Sequence, residues 1–331
     1  MPLYLHFGES DLLRCRFAVS PLWETQDAIR TLGRPDRHGY HLPWLRRIRE
    51  AARDLDLTAV RLLMPRSGHT PDFLGPPPIG PAATFDEELA AVRATPADVA
   101  RKDLAQSLAC TKGAAETSQG RAMLADPGRA VQELADTLER AWQVLVEPDW
   151  PRLRALLEAD VAYHSGRLAR VGLEGLLSEL HPRIDWDPAT LTLTARASSH
   201  RRSLDGQGLV LMPSVFAWPE VISGFEPPWQ PTVVYPVRGI GGLWTQPSGA
   251  APEALAGILG RNRADVLSAL GAPTSTSALA HSLGLAPSSV SAHLAALRAA
   301  GLLTTHRQGH QVLYERTPLG GALVTGGQEE A

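Results

Sequence analysis

The sequence predicts an α+β protein. A mainly helical N-terminal region with a small β-sheet precedes a C-terminal domain of helix, turn, helix and hairpin. Three observations predict this. Apolar residues recur at helical spacing through most of the first 182 residues, and the period shifts to two between residues 183 and 246. Thr274 to Tyr314 then carries two short amphipathic segments around Gly284, followed by two β-like runs around Arg307-Gln308-Gly309. The divisions that follow are 1–182, 183–246 packed on it, and 253–325, with Gln246 to Pro252 as linker.

In the first division Leu3 to Phe7 alternates as a short strand. Pro43 to Leu57 reads as one helix with Leu45, Ile48, Ala52 and Leu55 on a face. The Pro- and Gly-rich run from Pro65 to Pro81 reads as an exposed loop. Helical spacing resumes over Phe85–Val92 and Val99–Leu108, and residues 111–120 read as a connection. Val131, Leu134, Leu138, Trp142 and Leu145 make one stripe along Arg129–Val146, ended by Pro148 and Pro151. Two more helical runs follow, through Leu153 to Val161 and from Arg167 to Leu180. Three β-like segments, Leu191–Ala195, Leu209–Met212 and Thr232–Tyr235, make the small sheet.

Composition narrows the class. The chain has 331 residues, too many for one ordinary domain, and its 44% hydrophobic and 20% charged content is that of a globular protein with real cores. A net charge of -3 means that any affinity for nucleic acid must be local. Cys15 and Cys110 lie far apart, so neither a disulfide framework nor a zinc cluster is expected. The N-terminus lacks the pattern of a signal peptide, and no apolar run approaches the length of a membrane span. A cytoplasmic protein is expected, without membrane contact.

The C-terminal domain carries the chemistry. Glu253–Leu270 reads as one amphipathic helix with Leu255, Leu259, Val266, Leu267 and Leu270 inward. A second helix, Ser277–Leu283, ends at Gly284, and a third starts at Pro287 without a capping side chain at Ala286. In the third, Val290, Leu294 and Leu297 point inward, which turns Ser288, Ser289, Ser291, Ala292 and Ala295 outward. So small and neutral a face fits a major groove. Gly301 closes the helix, and the hairpin tip brings basic groups that suit phosphates or a minor groove. From Val266 to Tyr314 there is no Asp or Glu, against 35 in the whole chain. An acid-free surface suits a polyanion.

These segments (Ser277-Ala-Leu-Ala through Ser291-Ala-His-Leu, Leu297-Arg-Ala-Ala-Gly-Leu-Leu and Arg307-Gln-Gly-His-Gln-Val-Leu-Tyr) resemble the winged helix-turn-helix domain of ArsR-type bacterial repressors. The rest is similar to the long N-terminal region of actinobacterial members. The resemblance implies a homodimeric repressor on an imperfect palindrome of double-stranded DNA, with Ser288, Ser291 and Ala292 facing bases. The candidate DNA contacts are Ser275, Thr276, Ser277, Pro287, Ser288, Ser289, Ser291, Ala292, His293, Arg298, His306, Arg307, Gln308 and His310. His293 has two readings, toward the DNA backbone or into the helix bundle. Two departures matter. Ala278–Leu283 holds none of the thiolates of the family's metal box, so no metal is expected there. The last helix, Pro318–Val324, is short, so a dimer interface is expected upstream.

Other patterns carry less. His38-Gly-Tyr-His41 has H-x-x-H spacing, with His69 further along, but no carboxylate or thiol completes a set; loop histidines are expected. No catalytic motif sits in the context it needs, and Gly239-Ile-Gly-Gly reads as a turn, so neither an enzyme nor a cofactor is expected. All eight tryptophans precede the winged helix. They suit either a cavity for an apolar small-molecule effector or core and interdomain packing. The competing function is a protein-contact role for the winged helix, with a ligand-binding or enzymatic N-terminal region.

Overall fold

The computed structural model describes the chain except residues 1, 35–38, 66–67, 195–199, 218, 225, 226, 228, 241, 242, 245–252, 271, 272, 309, 310 and 326–331. It divides into two compact units. One comprises residues 1–34 and 48–238, the other residues 35–47 and 239–331.

The elements run in chain order as β1 (Pro2–His6), α1 (Glu9–Leu12), β2 (Arg16–Phe17), α2 (Pro21–Leu32), α3 (Leu42–Ile48), α4 (Thr58–Leu62), α5 (Phe85–Arg93), α6 (Ala97–Ala109), α7 (Ser118–Ala125), α8 (Pro127–Leu145) and α9 (Trp150–Leu180). Then come β3 (Ile184–Asp187), β4 (Thr190–Thr194), β5 (His200–Ser203), β6 (Val210–Ser214), β7 (Ile222–Gly224) and β8 (Thr232–Pro236). The second unit adds α10 (Glu253–Leu259), α11 (Arg261–Ala269), β9 (Thr274–Ser275), α12 (Thr276–Leu283), α13 (Pro287–Ala299), β10 (Leu303–Gln308), β11 (Gln311–Arg316) and α14 (Pro318–Thr325).

In the first unit the order of strands is β3-β4-β1-β5 in one sheet and β2-β6-β8-β7 in the other. β1 pairs antiparallel to β4 and parallel to β5, and β2 runs parallel to β6. Residues 183–238 are thus woven together with the N-terminus rather than laid on it as a separate segment. Leu5, Leu191, Leu193, Leu211, Val233 and Tyr235 meet Leu176, Leu177 and Leu180 of α9 in one core. β6 and β8 are buried along their whole length, which explains their unbroken apolar runs.

Helix α8 matches its predicted stripe: Val131, Leu134, Leu138, Trp142 and Leu145 are all buried. Asp126 caps it by accepting the Arg129 N–H at 3.1 Å, and Pro127 takes the first position. α2 is unusual in being buried through Pro21–Ile29, with its polar side chains used as fasteners. Glu24 takes the Val215 N–H at 2.9 Å, and Asp27 accepts from Trp23 Nε1 at 2.9 Å and Ser214 Oγ at 3.2 Å. Gln26 donates to the Leu74 carbonyl at 3.1 Å, while Glu88 of α5 accepts the Leu22 N–H at 2.8 Å.

Several expectations change. The 43–57 helix is α3 followed by a single 3₁₀ turn, Ala51–Asp54. Ile48 and Leu57 are both buried, yet nine residues apart on one helix of about 3.6 residues per turn they would face opposite ways. The 65–81 run is not an exposed loop: Phe73 and Leu74 are fully buried. Its backbone polar groups are satisfied by distant side chains, Asp103 at Phe73 N (3.3 Å) and Gln26 at Leu74 O. The two helical runs after Pro151 are present, but the break between them lies at Gly172 (φ 73°), inside the expected second run.

Burial pushes the carboxyls of Glu24 and Glu88 up to about 8. In the unfolded chain they ionise near 4.5, so the native state holds protons that the unfolded state has released. This part of the stability is complete below pH 4.5 and is lost as pH rises through 8. Thermal unfolding of Glu24→Gln and Glu88→Gln variants at about pH 5 and about pH 8 is expected to show a smaller loss of Tm on alkalinisation than the parent chain. An unchanged slope in both variants would show that other groups set it.

Candidate nucleic-acid interface

The second unit is organised by α13. Val290, Leu294 and Leu297 are buried and pack with Val266, Leu267 and Leu270 from α11 and its end, and with Leu279 of α12. Pro287, Ser288, Ser289, Ser291, Ala292, Ala295, Ala296 and Arg298 are exposed, in line with the helical spacing, and His293 is half-buried on the flank. Glycines in the left-handed region end both helices, Gly284 (φ 65°) after α12 and Gly301 (φ 73°) after α13. At each, the next amide reaches back to an earlier carbonyl: Leu285 N to Ala280 O and Leu302 N to Leu297 O, both at 3.0 Å. Ala286 makes no side-chain cap.

The expected 253–270 helix is two helices, α10 and α11, broken at Gly260 (φ 80°). The break lets Leu255 and Ala264 pack together against Leu323 and Val324 of α14. Ser275 and Thr276 are half-buried and Ser277 is exposed. The side chain of Ser275 is engaged locally. Its Oγ accepts the Ala278 N–H at 3.4 Å at the start of α12, and it lies 3.3 Å from Ser277 Oγ.

β10 and β11 pair antiparallel from Leu303↔Arg316 to Gln308↔Gln311, with β9 on the other side of β11. His306, Arg307 and Gln308 thus lie on the strand that enters the tip. Gly309 and His310 are outside the described residues. The first acid after the gap, Glu315, pairs with Thr304 at the base of the hairpin, away from the tip. The base is tied to the helices by two residues that no motif marked. Arg316 Nε donates to the Leu270 carbonyl at 2.8 Å, and Thr317 Oγ1 donates to the Gly301 carbonyl at 2.8 Å. Thr317 Oγ1 also caps α14 by accepting the Gly320 N–H at 3.1 Å.

A family model described as a helix-turn-helix domain matches residues 259–306. The match covers α11, α12 and α13, the elements whose geometry is described above. It marks a DNA-binding regulator. A second model, described as a family of unknown function (DUF5937), matches residues 82–241. No curated protein and no solved structure gives a significant match. Among the described residues, no helix is long and apolar enough to cross a membrane.

Outside the helix-turn-helix domain, the tryptophans divide among the cores. Trp142 stacks on Phe85 at 4.6 Å, Trp186 meets Phe7 edge-on at 5.0 Å and Trp23 packs with Met212 and Val234. Trp44 stacks on Trp244 at 6.1 Å in the second unit; Trp218 is outside the described residues. A cleft of about 330 Å³ is lined by Asp56, Gln119, Glu133, Asp136 and Arg140 and holds no aromatic residue.

His41 is not a loop histidine. It is fully buried and accepts the Trp244 Nε1 proton on Nδ1 at 2.9 Å; His38 is outside the described residues. A buried group in the first unit also carries no sequence signal. There Asp160 accepts from Tyr235 OH and Arg238 N, each at 3.1 Å, with His164 Nε2 at 3.6 Å. Burial pushes the Asp160 carboxyl up and the His164 imidazole down.

Thr317→Val removes one hydrogen bond to the end of α13 and the cap of α14. The Leu302 amide, which bonds to Leu297 O, is expected to lose roughly fivefold in hydrogen-exchange protection, equivalent to about 1 kcal/mol. Unchanged protection would show that the tie contributes nothing.

Proposed function

We propose that the chain is a sequence-specific transcriptional regulator of ArsR-like type, a homodimeric repressor without enzymatic activity. On this reading α13 lies in the major groove of each half of an imperfect palindrome, and the wing, β10 and β11, lies along the neighbouring backbone. The observation that carries the proposal is the outward face of α13. It is exposed, small and neutral, directly opposite Val290, Leu294 and Leu297, and it sits in a stretch of 49 residues without a carboxylate.

Arg298 and Arg307 are the only fully charged groups of that stretch between the end of α11 and the hairpin, so one copy offers few phosphate contacts. Two copies on one duplex double them, which supports the dimer. Both cysteines lie in the first unit, so a Cys-x-Cys metal box has no counterpart on α12.

Gel-shift titration of the full chain against its own promoter region tests the reading. Affinity should fall steeply with salt. Ser291→Glu places a carboxylate in the groove between the two phosphate backbones and should abolish the shift. Arg307→Ala should weaken binding to all sequences and lower the salt slope by about 1 per copy. Affinity unchanged in both variants would overturn this docking, and no shift even at low salt would leave the winged helix as a protein-contact module.

A further inference from the structure

The exposed face of α13 also restricts what it can read. At about 3.6 residues per turn, Ser288, Ala292, Ala295 and Ala299 form the line opposite the buried Val290, Leu294 and Leu297. Ser289 and Ala296 flank that line on one side, Ser291 and Arg298 on the other. All eight are exposed. None of the first eleven residues of α13 is Arg, Lys, Asn or Gln. The side chains that grip guanine or adenine edges in bidentate fashion are therefore missing where a recognition helix meets bases, at its N-terminal part. Arg298 stands in the last turn.

A small-residue line alone would mark a surface for helix packing. This one is the exposed second helix of a matched helix-turn-helix domain, on a surface whose charge complements DNA. What it offers is methyl groups and short hydroxyls. In the major groove the one apolar group on a base edge is the C5 methyl of thymine. We infer that Ala292 and Ala295 are specificity-determining residues that read thymine methyl groups, so each half-site holds thymines opposite α13. Ser288 and Ser291 add single hydrogen bonds to neighbouring bases. This rests on the proposed docking in the major groove.

The test changes the DNA and leaves the protein intact. A duplex is first selected from a randomised library with the full-length chain, and each thymine is then replaced in turn by deoxyuridine, which lacks only the methyl. One or two positions per half-site should lose about fourfold in affinity, the value of about 0.8 kcal/mol for burying one methyl-sized group. Replacing such a T·A pair by C·G should weaken binding, and 5-methylcytosine there should restore part of it. Ala292→Ser should weaken the thymine duplex but not the duplex with uracil at the matching position, a coupling that a folding defect would not produce.

Equal affinity for thymine and uracil at every position, or a selected site without thymine in the half-sites, overturns the inference while DNA binding stands. Failure to select any duplex at low salt overturns the docking and the inference together.

Discussion

The roll of α13 about its own axis is the constraint on which the functional reading depends. Burial of Val290, Leu294 and Leu297 sets that roll, because the three residues occupy one face and pack against α11 and α12. Once they are inside, the identity of the outer face follows from helical geometry alone. Gly284 then ends α12 ahead of the turn, and Gly301 ends α13 itself. The ties from Arg316 and Thr317 extend the same control to the wing, since the strand that leaves the tip is held to the ends of α11 and α13.

The first unit is held by a different device. There α2 is buried on all sides, and an apolar sequence would satisfy such a position most simply. Instead Glu24, Gln26 and Asp27 reach backbone and side-chain groups of β6, the 72–74 turn and their surroundings. A buried polar group without a partner costs stability, so these residues accept few neighbours other than the ones they have. The helix specifies its surroundings at the expense of proton-dependent stability, because Glu24 remains folded most readily as the neutral acid.

What was legible in the sequence was local. Helix α8, the glycine-bounded α13 and the hairpin depend on residues close together along the chain, and periodicity reports those directly. Contacts made at a distance left no such trace. The strand at Leu3–Phe7 was visible, but its partners, β4 and β5, come from the far end of the first unit. Prolines and glycines between Pro65 and Pro81 signalled an irregular backbone correctly, yet irregular does not mean exposed when Gln26 and Asp103 supply the missing hydrogen bonds. Gly260 interrupts an apolar stripe that reads as continuous, because one residue at positive φ leaves the spacing pattern almost intact. The position of Ser275 reads as a DNA contact, and the structure adds that its side chain caps α12.

The acid-free stretch gains meaning from this geometry. Absence of carboxylates over 49 residues would be a compositional curiosity if those residues were scattered through a core. In the fold the stretch spans the end of α11, all of α12 and α13 and nearly all of the hairpin, and Glu315 returns at the hairpin base. Its positive charge is nevertheless small, and attraction to phosphate, being the same for every sequence, does not distinguish a site from bulk DNA. On the proposed docking, discrimination comes from the fit of α13 to base edges. On that docking a face of alanines and serines would discriminate by methyl contact and by exclusion of water from a close approach, with the helix deep in the groove. The smallness of those side chains would permit that depth, and the absence of acids would spare the helix repulsion from the two flanking backbones.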